Sequence, residues 1–382
     1  MKILNLLRAL KRSWSKYRPS VEVFILQENL IHNLRTYQRQ YPKLSFAPVL
    51  KSNAYGHGLV PIARILDKEN IAFFVVDSLF EAMILRNEGV KSRILVIGYT
   101  SAGNINNSKL SDVAFAITSL EHLQAIARVI DKPKKLHLKI DIGMNRQGIL
   151  PDQIADAIKI IQDSKNIQLE GVCSHLADAD NEDATFTKKQ TSQWQSIVGI
   201  FKDKFSEIKY YHLSASAGVF YADSFESDVV RLGIGLYGFN VSSLARLDLK
   251  PVLRMESIIS SVKTVPAGES VGYGLTYKTA QPVKIATVPV GYFEGVDWRL
   301  SNKGALKIDE HFCPIVGRVS MNITTIDVLA APDVKLGDKV VIISNKGSDK
   351  NSVVNMAEIA QTIPYEILVH IPPHLRRTIV KN

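Results

Sequence analysis

A lysine near the start of the chain stands directly before a short run of small and polar residues. Lys51 is followed by Ser52, Asn53, Ala54, Tyr55, Gly56, His57 and Gly58. Because burial lowers the pKa of an amine, a lysine held in a closed pocket can form a Schiff base with a carbonyl compound. A surface lysine before a turn is the simpler interpretation of this segment alone, so other segments have to decide between the two.

Three later segments carry residues that suit an anionic ligand. His175 lies in VCSHLADAD, Ser216 in HLSASAG, and Arg231, Gly233 and Gly235 in VVRLGIGLYG. Backbone N–H groups near glycines, together with a serine hydroxyl, bind phosphate oxygens. The alternatives are structural: a core histidine for His175 and an ion pair for Arg231. A Schiff-base lysine combined with a phosphate site is what pyridoxal phosphate requires.

Eight β-rich segments alternate with helical or connecting segments between residues 44 and 240. The predicted strands are SFAPVLK (45–51), IAFFVVD (71–77), RILVIGY (93–99), VAFAIT (113–118), KLHLKID (135–141), IQLEGVCSH (167–175), IKYYHLS (208–214) and VVRLG (229–233). This α/β pattern predicts a closed, TIM-type (β/α)8 barrel, with a doubly wound sheet as the competing fold. The active site of such a barrel lies at the C-terminal ends of its strands, where the polar residues above are found.

The pattern changes after Lys250. Segments such as VKIATVPV, ALKIDE and DKVVIIS alternate apolar and polar residues, and turns such as PAGES separate them. This is typical of a mainly antiparallel β domain. We therefore divide the chain into a barrel over 18–245 and a C-terminal β domain over 246–382. The segment EVFIL (22–26) predicts one further strand, and the sequence does not say with which domain it pairs.

The charge is concentrated at the start of the chain. The 382 residues carry a net charge of +10, and the first 18 residues contain six Lys and Arg residues without Asp or Glu. The rest is nearly balanced, which argues against a nucleic-acid partner. Residues 1–17 form a basic extension with apolar residues near helical spacing. Contact with an anionic membrane surface is one interpretation, and a helix that contacts nothing is the one we favour.

Two further observations bound the class of protein. No apolar run reaches the ~20 residues that a membrane-spanning helix needs. Cys173 and Cys313 form neither a metal-type cluster nor a disulfide framework. We therefore expect a cytoplasmic enzyme without a metal ion.

The segment VLKSNAYGHG resembles the cofactor-lysine signature of alanine racemases, which are pyridoxal-phosphate enzymes of fold type III. Further blocks similar to that family follow in order over roughly residues 18 to 380: EAMILRNEG, LKIDIGMNRQG, EGVCSHLADAD, VVRLGIGLYG, GESVGYGLTY, TVPVGYFEG, IVGRVSMN and PYE. The resemblance implies a homodimer that interconverts L-alanine and D-alanine and shares its active sites across the interface. The same chemistry on serine or a broader set of amino acids is one alternative, and a non-catalytic cofactor-binding protein is another.

The resemblance also implies roles for single residues. Lys51 matches the cofactor lysine, which is one of two catalytic bases, and Tyr273 matches the opposing base, delivered from the other subunit. Arg231 matches the arginine that donates to the pyridine nitrogen. The other matches are Tyr55, Ser216, Gly233, Ile234 and Tyr365 for the phosphate, Arg146 and Met321 for the substrate carboxylate and cofactor face, Lys139 for an often carbamylated lysine, and His175, Tyr292, Arg299 and Arg318 for the surroundings and entrance of the site.

Four positions depart from the family pattern. Ala215 stands where Asn is usual, Leu232 where Pro is common, and Glu294 and Asn322 where Asp is usual. None of these changes removes a catalytic group. Asn322 bears most on substrate preference, because it removes a carboxylate close to the substrate carboxylate site. The ending PPHLRRTIV also differs from the usual family terminus.

Overall fold

A computed structural model describes residues 18–240, 242 and 246–381 of the chain. The basic extension over 1–17 lies outside these residues, and so do both interpretations given for it, membrane contact and a helix that contacts nothing. Within the described part, no helix combines the length and the apolar character needed to cross a membrane.

Nineteen strands are present in the described residues. The first is β1 (Glu22–Leu26). The next eight are β2 (Ser45–Pro48), β3 (Phe74–Val76), β4 (Ile94–Val96), β5 (Val113–Ile117), β6 (Lys134–Lys139), β7 (Ile167–Cys173), β8 (Tyr210–His212) and β9 (Val229–Leu232). The last ten are β10 (Leu253–Ile258), β11 (Ser261–Val265), β12 (Ser270–Val271), β13 (Tyr277–Lys278), β14 (Val283–Val288), β15 (Ala305–Ile308), β16 (His311–Pro314), β17 (Thr324–Asp327), β18 (Lys339–Ile343) and β19 (Arg377–Val380).

The strands β2 to β9 close into a parallel barrel. β3 to β8 form one six-stranded sheet, and β2 pairs with β9. Parallel bridges between Val49 and Val75 and between Ala215 and Arg231 join these two sheets at both edges. Each of the eight predicted segments supplies one of these strands. The predicted (β/α)8 barrel is therefore confirmed.

Helices connect most of the barrel strands, and two more lie in the C-terminal part. Their bounds are α1 (Gln27–Gln40), α2 (Leu59–Leu66), α3 (Leu79–Asn87), α4 (Ala102–Asn107), α5 (Leu120–Val129), α6 (Ile154–Asp163), α7 (Thr185–Lys204), α8 (Val353–Ile359) and α9 (Pro364–Val369). In α6 the buried residues are Ile154, Ala157, Ile158 and Ile161, the apolar face expected from their spacing. A 3-10 turn over Pro151–Gln153 precedes this helix. Proline is favoured at the start of a helix because the N–H group that it lacks would have no partner there.

The C-terminal part is built from antiparallel β-structure. Its largest sheet has the strand order β16-β15-β18-β10-β1-β19, a second sheet has the order β11-β14-β17, and β12 pairs with β13. The strand β1 pairs antiparallel with β10 and parallel with β19. The chain thus begins its described part in the C-terminal sheet and enters the barrel only afterwards. This resolves the question that the sequence left open for EVFIL.

The two parts share one continuous apolar core. Val23 and Ile25 of β1 are fully buried, and they belong to the same cluster of buried side chains as the barrel residues Phe46 and Phe115. Burial of this kind stabilises a fold by roughly 25 cal/mol per Å² of apolar surface. The barrel mouth and the C-terminal sheet are therefore held in a defined relation to each other.

Candidate active site

Lys51 begins a left-handed turn just after β2. The four following residues, 52–55, all have positive φ, between 52° and 57°. None of them is glycine, and left-handed geometry costs a residue with a side chain about 1–2 kcal/mol. Such strain persists only where the surroundings impose it, and it is concentrated at functional sites. The position of Lys51 is therefore set by contacts elsewhere in the molecule.

Residues of the C-terminal part supply those contacts. The Arg377 guanidinium donates to the carbonyl oxygen of Gly56, with Nη2 at 2.8 Å, and to the carbonyls of Pro372 and Leu375 at 2.7 Å each. A Cβ on Gly56 would lie 1.9 Å from the carbonyl oxygen of Leu368, so glycine alone fits there. The last strand and the helix before it thus hold the turn that presents Lys51.

Ser216 and two glycines line a polar pocket that could hold a small anion. The Ser216 hydroxyl oxygen accepts the backbone N–H groups of Gly233 and Gly235, both at 3.1 Å. A Cβ on Gly233 would approach the Tyr55 hydroxyl to 2.8 Å and the Ser216 hydroxyl to 3.9 Å. Ile234 begins the 3-10 turn that follows. These residues place two hydroxyl groups and a glycine backbone around one point, as phosphate binding requires.

Two tyrosines border this pocket as neutral donors. The Tyr55 ring packs against the rings of Tyr237 and Tyr365, with centroids 5.0 and 5.9 Å away. Burial raises the pKa of Tyr55 well above its usual range, and burial raises the pKa of Tyr365 to about 12. Both phenols therefore keep their protons and can donate to an anion.

Arg231 is a buried guanidinium that is almost completely occupied. Nη1 donates to Nδ1 of His212 at 2.6 Å and to the carbonyl of the same residue at 2.8 Å. Nη2 contacts the carbonyls of Ser174 and Leu213 and Nδ1 of His175, at 2.6, 2.8 and 3.1 Å. Within the described residues, Nε alone of its nitrogens has no hydrogen-bond partner. One N–H group thus remains for a ligand.

His175 lies beside Arg231 as a neutral donor. Its pKa is lowered to about 3 by burial and then by the charges of Arg231, Arg146, Lys139 and Lys51. Because Nδ1 accepts from Arg231, the ring proton of the neutral form is on Nε2. His175 therefore offers one N–H group without adding a charge.

Lys139 is partly buried on β6, opposite Cys173 of β7. Burial lowers the pKa of its amine, and the charges of Arg146 and Arg231 act in the same direction. Lys139 thus belongs to the electrostatic surroundings of the site, although the Arg146 side chain itself is exposed.

Four candidate residues of the C-terminal part are exposed: Tyr273, Tyr292, Arg318 and Met321. Tyr273 is 72% exposed and Met321 is 56% exposed. Arg318 lies over the ring of Trp298 at 5.4 Å, and the exposed Tyr292 lies in a nearby 3-10 turn. Within the described residues, no hydrogen bond or ring contact joins this group to Lys51 or Arg231. Arg299 is different, because Asp297 and Glu366 bind its guanidinium.

The four departures from the family pattern also have defined positions. Leu232 is buried opposite Pro48, and Ala215 forms the bridge to Arg231 that completes the barrel. The other two departures contact each other: Nδ2 of Asn322 donates to Oε1 of Glu294 at 2.7 Å. The second oxygen of Glu294 accepts the N–H of Gly291 at 2.8 Å.

Pyridoxal phosphate fits the residues that the barrel brings together. Lys51 supplies an amine for the aldehyde carbon, and the pocket around Ser216 and Gly233 suits the phosphate. The Nε–H of Arg231 remains for the ring nitrogen. Sequence reasoning did not find two structural contributors: Arg377, which nothing distinguishes from Arg376 in the sequence, and His212, which reads as part of a strand.

Comparisons with known proteins agree with this geometry. Residues 25–241 match the family model "Alanine racemase, N-terminal domain", and residues 252–379 match "Alanine racemase, C-terminal domain". An alanine racemase of Methanococcus maripaludis is 34% identical over 343 residues, which are 88% of this chain and 92% of that protein. One of Carboxydothermus hydrogenoformans is 35% identical over 361 residues, 92% of this chain and 97% of that protein.

Solved structures give the same result. An alanine racemase of Clostridium difficile 630 has a TM-score of 0.89 at 30% identity, and that of Bacillus anthracis with bound L-Ala-P has 0.89 at 28% identity. Each alignment covers 96% of this chain and 97% of the other. The predicted fold class and the pyridoxal-phosphate cofactor are thereby confirmed, and the chain belongs to the alanine racemase family.

Proposed function

We propose that this protein is a pyridoxal-phosphate-dependent racemase that interconverts L-alanine and D-alanine. The observation that carries the proposal is the bonding of Arg231, whose Nη groups are taken by the protein while Nε remains for the cofactor. A guanidinium donates but hardly gives up its proton, so the ring nitrogen that it faces stays largely unprotonated. This limits delocalisation of the carbanion and favours return of the proton to Cα over transamination.

The reaction needs two acid–base groups on opposite faces of the substrate. When bound, pyridoxal phosphate withdraws electron density from Cα of the amino acid and so makes its proton removable. Lys51 moves the proton on one face, and Tyr273 moves it on the other. A tyrosine that acts as a base is most effective with hydrogen-bond donors and positive charge nearby. The Nε2–H of His175 is one such donor, and Arg231 supplies positive charge behind it.

We propose that Tyr273 acts in the site of a second copy of the chain. It is exposed in its own chain, and so are other large side chains of the C-terminal part: Leu275, Phe293, Trp298, Met321 and Ile323. Exposed groups of this size are typical of interaction surfaces. A two-fold homodimer would use the same surface twice and complete two equivalent sites.

The remaining roles concern the substrate and the entrance. We propose that Arg146 and Met321 contact the substrate carboxylate and the cofactor face, while Tyr292, Arg299 and Arg318 form or support the entrance. The lowered pKa of Lys139 supports its carbamylation, since the neutral amine is the form that reacts with carbon dioxide.

We further propose that the enzyme is cytoplasmic and supplies D-alanine for peptidoglycan precursors. The two cysteines, both unpaired and buried, suit a reducing compartment. In this proposal a barrel unit covers 18–245 and a β unit covers 246–382, with β1 paired in the sheet of the second unit.

Membrane contact through residues 1–17 is tested by deleting 2–17 and measuring activity and membrane partitioning. Unchanged values of both would refute it.

The test of the main proposal is chiral analysis of the purified enzyme with L-alanine, and with L-serine in parallel. Cofactor absorbance together with rapid formation of D-alanine is the expected result. Bound cofactor with turnover of serine but not of alanine would show that serine, rather than alanine, is the substrate. Bound cofactor without turnover of either amino acid would refute the racemase proposal for both substrates.

A further inference from the structure

A line of buried polar groups runs from Arg231 into the interior of the barrel. Nη1 of Arg231 lies 2.6 Å from Nδ1 of His212, and Nε2 of His212 lies 2.8 Å from Nδ1 of His137. Nε2 of His137 lies 3.4 Å from Oε2 of Glu170. All four residues are at most 8% exposed. This relay (Arg231, His212, His137 and Glu170) joins β9, β8, β6 and β7.

The two ends of the relay determine where its protons are. A guanidinium can only donate, so Nδ1 of His212 accepts and its Nε2 carries the proton. That proton is donated to Nδ1 of His137, which leaves the proton of His137 on Nε2. An ionised carboxylate can only accept, so Glu170 accepts the hydrogen bond from the Nε2–H group of His137. One arrangement therefore satisfies every group, with both histidines neutral and both protonated on Nε2.

The surroundings keep Arg231 and Glu170, at the two ends of the relay, charged and the two histidines between them neutral. Burial lowers the pKa of both histidines, and for His212 the charge of Arg231 adds to this effect. Burial alone would raise the pKa of Glu170, but the hydrogen bond from His137 and nearby positive charges together outweigh it, and the pKa is lowered. Lys135 and Arg93 add to the lowering, with nitrogens 3.7 and 3.5 Å from Oε1 of Glu170.

Aromatic rings close the sides of the relay. Phe73 meets the rings of His137 and His212 edge-on, with centroids 5.7 and 5.8 Å away, and Tyr210 stacks on His137 at 5.9 Å. A hydrogen bond in apolar surroundings is stronger than one in water, and an unpaired group there is costly. Because water cannot replace a lost hydrogen bond in these surroundings, a change at Glu170 is expected to alter the hydrogen bonds of its partners.

We propose that Glu170 and His137 are positioning residues for Arg231. They fix the tautomer of His212, so that its Nδ1 accepts from Arg231 and holds the guanidinium with Nε directed at the cofactor. Glu170 is also the carboxylate whose charge compensates the buried guanidinium through the two imidazoles. The effect on catalysis rests on the role proposed for Arg231, but the proton positions do not.

The test is nitrogen NMR of the holoenzyme labelled with ¹⁵N-histidine, which distinguishes protonated from bare ring nitrogens. His137→Gln and His212→Gln variants assign the two signals among the nine histidines of the chain. We expect both residues to carry one proton, on Nε2, at neutral pH. A proton on Nδ1 of either residue, or two protons on either ring, would overturn the proposal whatever the racemase activity is.

The variant Glu170→Gln tests the influence of the carboxylate. Its amide is the same size but can donate as well as accept, so the direction of the relay is no longer imposed. We expect mixed tautomers of His137 and a kcat about tenfold lower, the factor that about 1.4 kcal/mol represents, with KM unchanged. The matched control is Glu207→Gln, the same change at an exposed carboxylate outside the relay, which should leave tautomers and kcat unaltered.

Unchanged tautomers and unchanged kcat in folded Glu170→Gln would refute the positioning role. If this variant does not fold, the proton positions in the wild-type enzyme decide alone. A wild-type enzyme that has the expected tautomers but racemises nothing would refute the proposed function and leave the proton positions standing.

Discussion

The barrel half and the C-terminal half of the candidate site differ in how far their side chains are buried and hydrogen-bonded within a single chain. Arg231 is 7% exposed and holds five acceptors, and Ser216 is buried against two backbone N–H groups. Tyr273 and Met321 are mostly exposed, and Arg318 lies over the ring of Trp298 in its own part of the chain. Preorganised groups bind a cofactor at low cost in entropy. The barrel half is therefore preorganised within one chain, whereas the exposed C-terminal half is where we propose that a second copy of the chain binds.

The largest loss of activity is expected at Lys51, on which the barrel half of the site depends. Lys51→Ala should abolish both the absorbance of lysine-bound cofactor and turnover, because the same amine binds the cofactor and moves a proton. Spectra and chiral analysis check this, with the exposed Lys43→Ala as a matched control. Retained turnover would show that Lys51 is not the base.

The next effect separates the two halves. Tyr273→Phe should keep the cofactor spectrum but lower kcat by about 10²–10⁴ in at least one direction, the usual contribution of a positioned acid or base. Tyr99→Phe, at another exposed tyrosine, is the control and should be silent. Full activity in both directions would remove Tyr273 from the mechanism.

Mixing these two inactive variants sharpens the comparison further. In a random mixture of dimers, roughly a quarter of the sites would pair an intact Lys51 with an intact Tyr273 from the other chain. We expect that fraction of wild-type activity after dissociation and reassociation. If each site were built from one chain, the mixture would stay inactive.

Acid should weaken the barrel half first. His57 is fully buried, and burial lowers its pKa to about 4, against about 6.5 in the unfolded chain. Below pH 6.5 His57 is protonated in the unfolded chain but stays neutral in the folded chain. The free energy of unfolding therefore decreases as the pH falls from about 6.5 to 4. At pH 5 the loss is about 2 kcal/mol for this residue.

Urea unfolding at pH 7.5 and pH 5 measures this loss, and hydrogen exchange locates it. His137 and His212 of the barrel should add to it in the same direction, because their pKa values are lowered too. His311 and His374 of the C-terminal part are exposed, so His374→Gln is a suitable control and should leave the pH dependence as it is. Equal loss of protection in both halves would contradict the comparison.

The smallest effect concerns the two departures that contact each other. Asn322→Asp would replace a donor by a second carboxylate beside Glu294, where the hydrogen bond is now 2.7 Å. We expect about 1 kcal/mol of destabilisation, which Glu294→Gln in the same chain should recover. Thermal unfolding of the two single variants and the double variant gives the coupling. Additive values would mean that the two departures are independent.

The sequence predicted the barrel well, because most of its strands are short apolar runs bounded by polar or turn residues. It could not predict the partner of β1, since a strand pattern contains no information on pairing. The left-handed turn after Lys51 has little local signal either: of its four residues only Asn53 is a type that readily adopts this geometry, whereas Ser52, Ala54 and Tyr55 do not favour it, and distant contacts impose it. The relay was missed for a similar reason. His137 and His212 lie within predicted strands, and only the closed barrel brings them together.

Finally, the bond between Arg377 and Gly56 spans 321 residues. A ribosome delivers Lys51 long before it delivers Arg377, and domains tend to fold in the order of their synthesis. The strained turn is completed only once β19 has been released and docked. A nascent or truncated barrel would lack the contact that presents its lysine, and we therefore expect it to bind the cofactor less well than the complete chain.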